Sequence, residues 1–585
     1  MTRIRVLIVV AAVCTLGTLA TFAQGPARSK TQVLVLRGGL LIDGTGATPL
    51  NNAVVMISDG RIQRVGAAGV APIPPDALVI DTTGKTIMPG LVDGHMHMRN
   101  YQASTYLYWG VTTVGDLGDP PGHLLAYRAA VDNGRTAGPH IMATGAKLNA
   151  PLDADGGEGG ERATGFESFL SGNNGEMIVN DEASLERAIS AAKAAGLDAI
   201  KLYTRMDVPL LTLGARVAHR HGFPAFVHQN LAMGTDEVLD TGIDMEVHLY
   251  GLLPAATPPD VRERLIRGER IQPYHLLDTS KFPPITRRMA ERKIFYNPTI
   301  GKVFRAVGSH REALHRLNTA FLEGPVLRDV PADVRARFAT TFADGPGKRA
   351  QELEEGFRRV SVFVKQFVDQ GGKIVAGTDA GAGVGLVTAG LLVHEEMQFL
   401  RDAGLTPMQT IQAATSWTME AWGKGKEVGT LETGKRADVL ILNQNPLTDI
   451  AATTDIYKVI QAGNVIDREG LATWRETIPK TTPVSGDYVN RLLRIPLIHE
   501  ITPELVPMSA KRMPELRIRG TQLSDQSLVL LNDRLLPVKM YGPEEIGVAL
   551  PAALLKKPGV YPLAVVQPGS AGGVSNLFYF TVTPD

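Results

Sequence analysis

Two histidines two positions apart are the first residues in this sequence that could do chemistry. His95 and His97 end the run Pro89-Gly90-Leu91-Val92-Asp93-Gly94-His95-Met96-His97, which has the composition of a buried strand. Because side chains on a strand alternate between its two faces, both imidazoles point the same way. Neutral imidazole is a good ligand for zinc and similar divalent ions. The pair therefore indicates half of a metal site, although a His-x-His pair can also be an ordinary polar strand face.

Four more polar residues stand where other apolar, strand-like runs end. They are Lys201, His228, His248 and Asp379. Taken singly, each type has an ordinary structural explanation: a lysine can extend along an apolar surface, a histidine can be a hydrogen-bonded core residue, and an aspartate can cap the next helix. Their repetition at the ends of four predicted strands favours a shared site instead.

These side chains can meet only if the strands that carry them lie side by side. From Pro89 to about Trp422, apolar strands alternate with helical segments, which is the pattern of a parallel βα architecture. We place eight strands at 91–97, 111–115, 140–144, 199–203, 225–229, 244–248, 294–299 and 374–379. Eight such units form a (β/α)8 TIM barrel over 89–424, with the active site at the carboxyl ends of the strands. The surplus length lies in 249–293 and 300–372 and could form substrate walls or plain scaffold.

Short β-prone runs with turn signals flank this barrel on both sides. Residues 32–88 and 425–475 are predicted to form one small composite β-sandwich. A proline-containing linker follows at 478–483, and residues 498–584 again show the short alternating strands of a β-sandwich. The predicted fold class is therefore α/β, a TIM barrel with a composite sandwich and a separate C-terminal sandwich.

Composition and charge narrow the functional classes. The 585 residues are 44% hydrophobic and 21% charged, as in a globular protein, and 60 basic residues balance 60 acidic ones. This balance gives no reason to expect nucleic-acid binding. Arg3 and Arg5 precede an apolar run over 6–19 and then small residues. Residues 1–23 are therefore predicted to be a secretory signal peptide that leaves no membrane span once cleaved, with an uncleaved anchor as the alternative.

The single cysteine, Cys14, lies inside the predicted signal peptide. The mature chain would then have no disulfide, no thiolate ligand and no cysteine nucleophile. Any metal must be held by histidine, carboxylate or a modified lysine. Export without disulfides is compatible with a periplasmic or secreted enzyme.

The sequence resembles the amidohydrolase superfamily, and more narrowly its imidazolonepropionase-like and metal-dependent prolidase-type members. The similarity covers about 33–470 and rests on Asp93-Gly94-His95-Met96-His97, on the Gly-Val-Thr-Thr-Val run at 110–114, on Gly377-Thr378-Asp379-Ala380-Gly381 and on the Gly-Thr-Leu-Glu-Thr-Gly-Lys-Arg-Ala-Asp run at 429–438. The C-terminal stretch resembles the Ig-like fold shared by transcription-factor and plexin-type domains, through 516–520, 548–551 and 575–580.

The amidohydrolase resemblance implies a role for each candidate residue. His95, His97 and Asp379 would hold the more buried of two divalent ions, which are expected to be zinc, and His228 and His248 would hold the second. Lys201 would be carbamylated and bridge both ions. A hydroxide shared by the two ions would attack the substrate, with Asp379 as general base and then acid. Tyr203 faces the same way as Lys201 and could reach a substrate carboxylate.

Three departures from the family pattern put the substrate class in doubt. Gly115 stands where an arginine is usual on the second strand. The loop Gly156-Gly157-Glu158-Gly159-Gly160 carries an acid where the prolidase group has histidine. The usual Ile-Glu-His-Gly of strand six reads Glu246-Val247-His248-Leu249-Tyr250-Gly251.

The leading hypothesis is an exported binuclear hydrolase of a carbon–nitrogen bond, acting on an amide in a small peptide-like or cyclic substrate. A mononuclear cyclic-amide hydrolase or heterocycle deaminase, using His95, His97, His248 and Asp379, is the alternative enzyme. A non-catalytic binding or adhesion protein would be expected to lack at least one ligand, and all six positions are filled. The expected partner is a small-molecule or short-peptide substrate, with homo-oligomerisation left open.

Overall fold

A computed structural model describes the chain over 32–69, 72–98, 102–118, 137–151, 176–324, 347–381, 389–473 and 496–583, with short gaps at 195, 270, 522, 532–533, 557, 567–574 and 576–577 and with the further residues 124, 128, 131 and 132. The predicted signal peptide with Cys14, the glycine-rich loop around Glu158 and the linker at 478–483 lie outside the described residues. No helix in the described part of the chain is both long and apolar enough to cross a membrane.

Six short strands precede the barrel. They are β1 Leu34–Arg37, β2 Leu40–Leu41, β3 Ala53–Ser58, β4 Arg61–Ala67, β5 Leu78–Asp81 and β6 Thr86–Pro89. The strands β4, β3, β1 and β5 form one sheet in that order, while β2 and β6 belong to a second sheet. The apolar alternation of this region predicted strands of this kind.

The barrel strands follow, and those that the sequence predicted lie close to their expected positions. They are β7 Leu91–Met96, β8 Val111–Asp116, β9 His140–Ala143, β10 Lys147–Asn149, β11 Glu176–Ile178, β12 Ile200–Leu202, β13 Ala225–Val227, β14 Met245–Val247 and β15 Phe295–Asn297. Parallel ladders join β7 to β8 to β9, and β12 to β13 to β14 to β15. The amide of Asp198, just before β12, donates to the carbonyl of Ala143 at 2.9 Å and links the two runs. The short strands β10 and β11 were not predicted. Strand β10 pairs in parallel with β11 on one side and with the end of β12 on the other.

The eighth predicted strand, 374–379, is present in position but is not a regular strand. Ile374 bridges to Tyr296 and Ala380 bridges to Met96 in parallel, and the amide of Gly94 donates to the carbonyl of Ala376 at 2.8 Å. These contacts close the ring. The ladder is interrupted because the backbone turns at Asp379, whose φ is 55°, to bring its carboxylate over the barrel.

Helices surround and cap this barrel. They are α1 Ala103–Tyr108, α2 Glu182–Ala194, α3 Val208–Arg220, α4 Thr235–Val238, α5 Leu252–Ala256, α6 Pro259–Ile266, α7 Phe282–Glu291, α8 Ile300–Phe304, α9 Arg311–Glu323, α10 Ala350–Asp369, α11 Ala389–Asp402, α12 Pro407–Ala413 and α13 Ser416–Ala421. Short 3₁₀ turns lie at Tyr274–Leu276, Thr279–Lys281, Arg305–Val307, Gly347–Arg349, Ile450–Thr454, Gly470–Thr473 and Ala552–Lys556. The surplus segments contain α5 to α7 and α8 to α10, and α8 comes directly after the seventh barrel strand.

The chain returns to the first flank after the barrel. The strands β16 Val439–Leu442, β17 Ile456–Gln461 and β18 Asn464–Val465 extend the sheet that holds β6 and β2. Residues 86–89 of β6 pair antiparallel with 439–442 of β16. Side chains from both flanks fill one apolar core, including Leu36, Val55, Val439 and Ile460.

The C-terminal region is rich in β structure and has a core of its own. Its strands are β19 Leu497–Thr502, β20 Leu505–Pro507, β21 Glu515–Thr521, β22 Leu528–Leu531, β23 Arg534–Gly542, β24 Glu545–Ala549, β25 Gly559–Val566 and β26 Phe578–Thr583. The long β23 pairs with β22 through its first half and with β24 through its second half. It thereby joins two groups of strands around a shared apolar interior that includes Leu516, Val529 and Phe580.

Candidate metal centre

Four of the predicted ligands meet at the carboxyl ends of the barrel strands. His95 lies in β7 and His97 just after it, His248 follows β14, and Asp379 lies on the eighth strand segment. One ligand atom each from His95, His248 and Asp379 lies within 4.8 Å of the other two. The Oδ1 atom of Asp379 is 3.4 Å from Nε2 of His95 and 3.2 Å from Nε2 of His97. The sequence prediction that these four side chains share one place agrees with this geometry.

His228 and Tyr203 lie beside this group. The ring of His228 is 4.5 Å from that of His248 between centroids, and the ring of Tyr203 is 4.8 Å from that of His228. The Nζ atom of Lys147 lies 4.9 Å from the centre of the Tyr203 ring. Tyr203 is therefore at the edge of the histidine cluster, where a substrate group could reach it.

Lys201 is the unusual residue of the centre. It lies on β12, its exposed fraction is 1%, and its Nζ atom has no hydrogen-bond partner among the described residues. Burial lowers the pKa of this amine well below its usual value, although the charge of Asp379 acts in the opposite direction. A buried amine without a partner is costly unless something else occupies its surroundings. The residue therefore fits a role in which its nitrogen is modified or bound.

Three imidazoles are held in the state that binds metals. Burial lowers the pKa of His95, His228 and His248 well below the ordinary value, and nearby lysine charges lower it further. Each ring is therefore neutral at physiological pH, with a lone pair on one nitrogen. Neutral imidazole is the form that coordinates zinc and similar ions.

Asn297 and Thr299 orient two of these rings, and neither was predicted. The Nδ2 group of Asn297 donates to the carbonyl of Val375 at 2.8 Å, so its Oδ1 atom is free to accept from Nδ1 of His95 at 2.7 Å. This leaves the lone pair of His95 on Nε2, which faces Asp379. Nδ1 of His248 shares a hydrogen bond with the hydroxyl of Thr299 at 2.8 Å, which fixes the orientation of this ring. Both partners lie at the end of β15, so the strand-end rule used for the histidines could have found them.

The backbone around the ligands is held in uncommon conformations. His248, Thr299 and Asp379 have φ values of 70°, 47° and 55°. Left-handed backbone in such residues costs free energy and persists only where surrounding contacts fix it. At Gly381, with φ of 88°, an added Cβ would lie 1.9 Å from the carbonyl oxygen of His97, so only glycine fits.

Asp93 ties the first strand to the eighth. Its carboxylate accepts from the amide of His95 at 3.2 Å and from the amide and hydroxyl of Thr378 at 3.1 and 2.6 Å. Burial raises the pKa of Asp93 to about 7 despite these bonds. The aspartate of the Asp-Gly-His-Met-His motif is thus a structural link between the strands that carry His95 and Asp379.

Replacing Asn297 by alanine is expected to weaken metal binding about 10- to 100-fold, because ligand-orienting partners are typically worth that much. Competition of the purified holoenzyme with a chelator would measure the change. The matched control is Gln461→Ala, which removes an amide bonded to the carbonyls of Thr112 and Gly138 at the edge of β17. Equal metal loss in both variants would mean that general destabilisation, not ring orientation, is responsible.

Lys302 is the third residue of the site, after Asn297 and Thr299, that the sequence analysis did not predict. It lies on α8, donates a hydrogen bond to Oδ2 of Asp379, and its Nζ atom lies 5.7 Å from the centre of the Tyr250 ring. Burial alone would lower the pKa of Lys302, but the charges of Asp379 and Tyr250 outweigh it and raise the pKa above its usual value. Burial likewise raises the pKa of Asp379, but the hydrogen bond with His97 and the neighbouring cations hold it well below normal.

One departure from the family pattern has a steric explanation. An added Cβ at Gly115 would lie 2.4 Å from the Trp422 ring, whose Nε1 group donates to the carbonyl of Gly94 at 3.2 Å. Trp422 therefore fills the space that a long side chain at this position would need.

Comparison with known proteins agrees with this geometry. Residues 86–466 match the model of the amidohydrolase family. The ochratoxinase of Aspergillus niger is 23% identical over 491 residues, which cover 76% of this chain and 89% of that enzyme. A 63-residue segment is 40% identical to the imidazolonepropionase of Idiomarina loihiensis but covers only 15% of that protein. Among solved structures, a Xaa-Pro dipeptidase superposes with a TM-score of 0.50 at 20% identity, over 74% of this chain and all of the other.

Proposed function

Because the chain belongs to the amidohydrolase family and is therefore a hydrolase of carbon–nitrogen bonds, we propose that it cleaves an amide or peptide-like bond in a site built for two divalent ions. The substrate class that we propose is a small N-acyl amino acid or dipeptide. The ochratoxinase relative and the Xaa-Pro dipeptidase neighbour support the amide class by likeness only.

The observation that carries the two-ion proposal is the state of Lys201. Its buried amine has no hydrogen-bond partner in the described part of the chain, and burial lowers its pKa well below the usual value, which favours the neutral form. A neutral amine reacts with carbon dioxide to give a carbamate, and that anion has two oxygens that can bridge two cations. We propose that His95, His97 and Asp379 hold one ion, that His228 and His248 hold the other, and that carbamylated Lys201 joins them.

When bound, two zinc ions would lower the pKa of a water molecule toward 7 and polarise the substrate carbonyl. The remaining steps belong to side chains of this chain. The carboxylate of Asp379 takes a proton from the attacking water and passes it to the leaving nitrogen. Tyr203 contacts the substrate at the edge of the site.

A one-ion site is the second candidate. The tightest group among the described residues is His95, His248 and Asp379, with His97 in contact with the aspartate, and this set needs no carbamate. Such a centre would suit a cyclic-amide hydrolase or a deaminase. Membership of a hydrolase family leaves no reason to retain a non-catalytic binding protein.

The two ends of the chain have proposed roles of their own. We propose that residues 1–23 direct export to the periplasm or beyond the cell, and that the C-terminal β-rich region is an Ig-like module that acts as a spacer or attachment unit. Neither proposal bears on the chemistry at the barrel.

The first experiment counts metals per chain by elemental mass spectrometry, on protein purified without chelator in bicarbonate buffer, and assays N-acyl amino acids, dipeptides and cyclic amides in parallel. Two ions and amide hydrolysis are expected. One ion with deaminase or cyclic-amide activity would favour the one-ion candidate. Absence of metal even after zinc is added would overturn both.

A further inference from the structure

The carboxylate of Asp379 divides its two oxygens between different partners. Oδ1 faces His95 and His97 at 3.4 and 3.2 Å, and Oδ2 accepts a hydrogen bond from Lys302. One side of the carboxylate therefore faces the metal ligands and the other faces a lysine. A substrate group that lies beside Asp379 on the Lys302 side is therefore next to a positive charge.

The position of Lys302 is fixed because both ends of its helix, α8, are bound by side chains of α11. The carboxylate of Glu396 accepts from the backbone amides of Ile300 and Gly301 at 2.8 and 2.9 Å, which fixes the start of α8. The preceding residue of α11, Glu395, binds Arg305 after the end of α8 through contacts of 2.6 to 3.0 Å. Both ends of this short helix are thus anchored, while the Lys302 side chain remains 24% exposed.

The chemistry of an amide leaving group places an anion beside this lysine. Asp379 delivers its proton to the leaving nitrogen, so that nitrogen must come within hydrogen-bond reach of the carboxylate. In an N-acyl amino acid, the α-carboxylate is attached to the carbon next to that nitrogen. A group two bonds from a nitrogen at Asp379 lies within reach of a lysine that already touches Asp379.

We infer that Lys302, with Tyr250 beside it, binds the α-carboxylate of the leaving amino acid and makes the enzyme specific for substrates with a free carboxyl group at that position. This inference rests on the proposed amide hydrolysis and adds the residue that reads the leaving group. Tyr203 and Lys147 also lie beside His228 and form a second place that a substrate carboxylate could reach, which the test below distinguishes from Lys302. Lys302 is thus a specificity-determining residue that binds the leaving group, while Asp379 transfers the proton.

The test compares one N-acyl amino acid with its carboxamide, on holoenzyme kept in bicarbonate. Lys302→Met removes the charge but keeps the length of the side chain. It is expected to raise KM for the free acid about 10- to 100-fold, the usual worth of a hydrogen bond to a charged group. Because Lys302 also donates a hydrogen bond to Asp379, any change in kcat should be the same for the acid and the carboxamide. KM for the carboxamide should change less than about threefold. Lys302→Arg should restore most of the preference for the acid.

The matched control is Lys147→Met, which removes the other lysine near a tyrosine of the site and is expected to affect acid and carboxamide equally. Calorimetric titration of the product amino acid gives a second readout, and its affinity should fall in Lys302→Met alone. Metal content must stay at the wild-type value. An equal rise in KM for the acid and the carboxamide in Lys302→Met would overturn the inference. So would a lost preference for the acid over the carboxamide in Lys147→Met. Failure of the wild type to hydrolyse either compound would instead reject the proposed function.

Discussion

Replacing Lys201 by methionine is expected to lower kcat/KM by at least about 10³-fold and to reduce bound metal from two ions per chain to one or none. The size follows from the several kcal/mol that a metal centre contributes, since each 1.36 kcal/mol is about a factor of ten in rate. Methionine has nearly the shape of lysine and carries no buried charge. Because the unmodified amine has no partner in the described structure, the melting temperature of the metal-free protein should stay level or rise. The expected combination is a loss of activity together with unchanged or higher stability of the metal-free protein.

A smaller substitution at the same position gives an independent check. Lys201→Ala leaves space beside the ligands, and a short carboxylate such as acetate could supply the missing anionic bridge. Activity that returns in proportion to added carboxylate would support a bridging carbamate. Lys147→Met serves as the matched lysine control and should keep both metals. Two bound ions and near wild-type turnover in Lys201→Met would exclude the carbamate and favour the one-ion alternative.

Replacing Asp379 by asparagine is expected to reduce kcat about 10²- to 10⁴-fold, the range for a lost general acid–base group. Asparagine has the same shape and one oxygen that can still face His95 and His97, but it cannot take up a proton. Stopped-time assays of the metal-loaded variant would measure kcat, and elemental analysis would show how much metal it keeps. A reduced kcat with metal retained identifies proton transfer as the lost function.

A control for this variant exists at the other end of the same barrel. Asp244 lies before β14, where its carboxylate accepts from the amide of Ala225 at 2.7 Å and contacts His219 at 2.8 Å. Asp244→Asn should cost some stability and leave kcat within a few-fold of wild type. If Asp379→Asn kept full turnover while binding metal normally, another group would have to carry the proton.

The positions of the barrel strands were predictable because each is a short apolar run, and such runs must be buried on both faces. The strands β10 and β11 escaped prediction because they contain the polar residues Lys147, Asn149 and Glu176 and lack a continuous apolar run. The eighth strand was placed correctly but assumed to be regular, since nothing in the sequence signals the left-handed backbone at Asp379. Local propensity fixes where strands occur more reliably than how their ends bend.

The candidate site was predictable to the extent that its residues end strands. His95, His248 and Asp379 fall together because parallel strands of a barrel end at one face. Asn297 and Lys302 were missed for different reasons. Asn297 acts through a ring from a distant strand, and its hydrogen bond joins residues 202 positions apart. Lys302 belongs to a five-residue helix whose placement depends on Glu396, a contact that no sequence pattern reveals.

The sheet that joins β6 to β16 has a consequence for the synthesis of the chain. Residues 86–89 acquire their antiparallel partner only when residues 439–442 have been made, so the ribosome must add about 350 residues before this sheet can close. Until then, β6 presents an unpaired apolar edge, the kind of surface that invites association with other chains. The sheet beside the barrel is thus completed by a late step that joins two distant parts of the chain, and chaperones that act on nascent chains could protect its edge until that step.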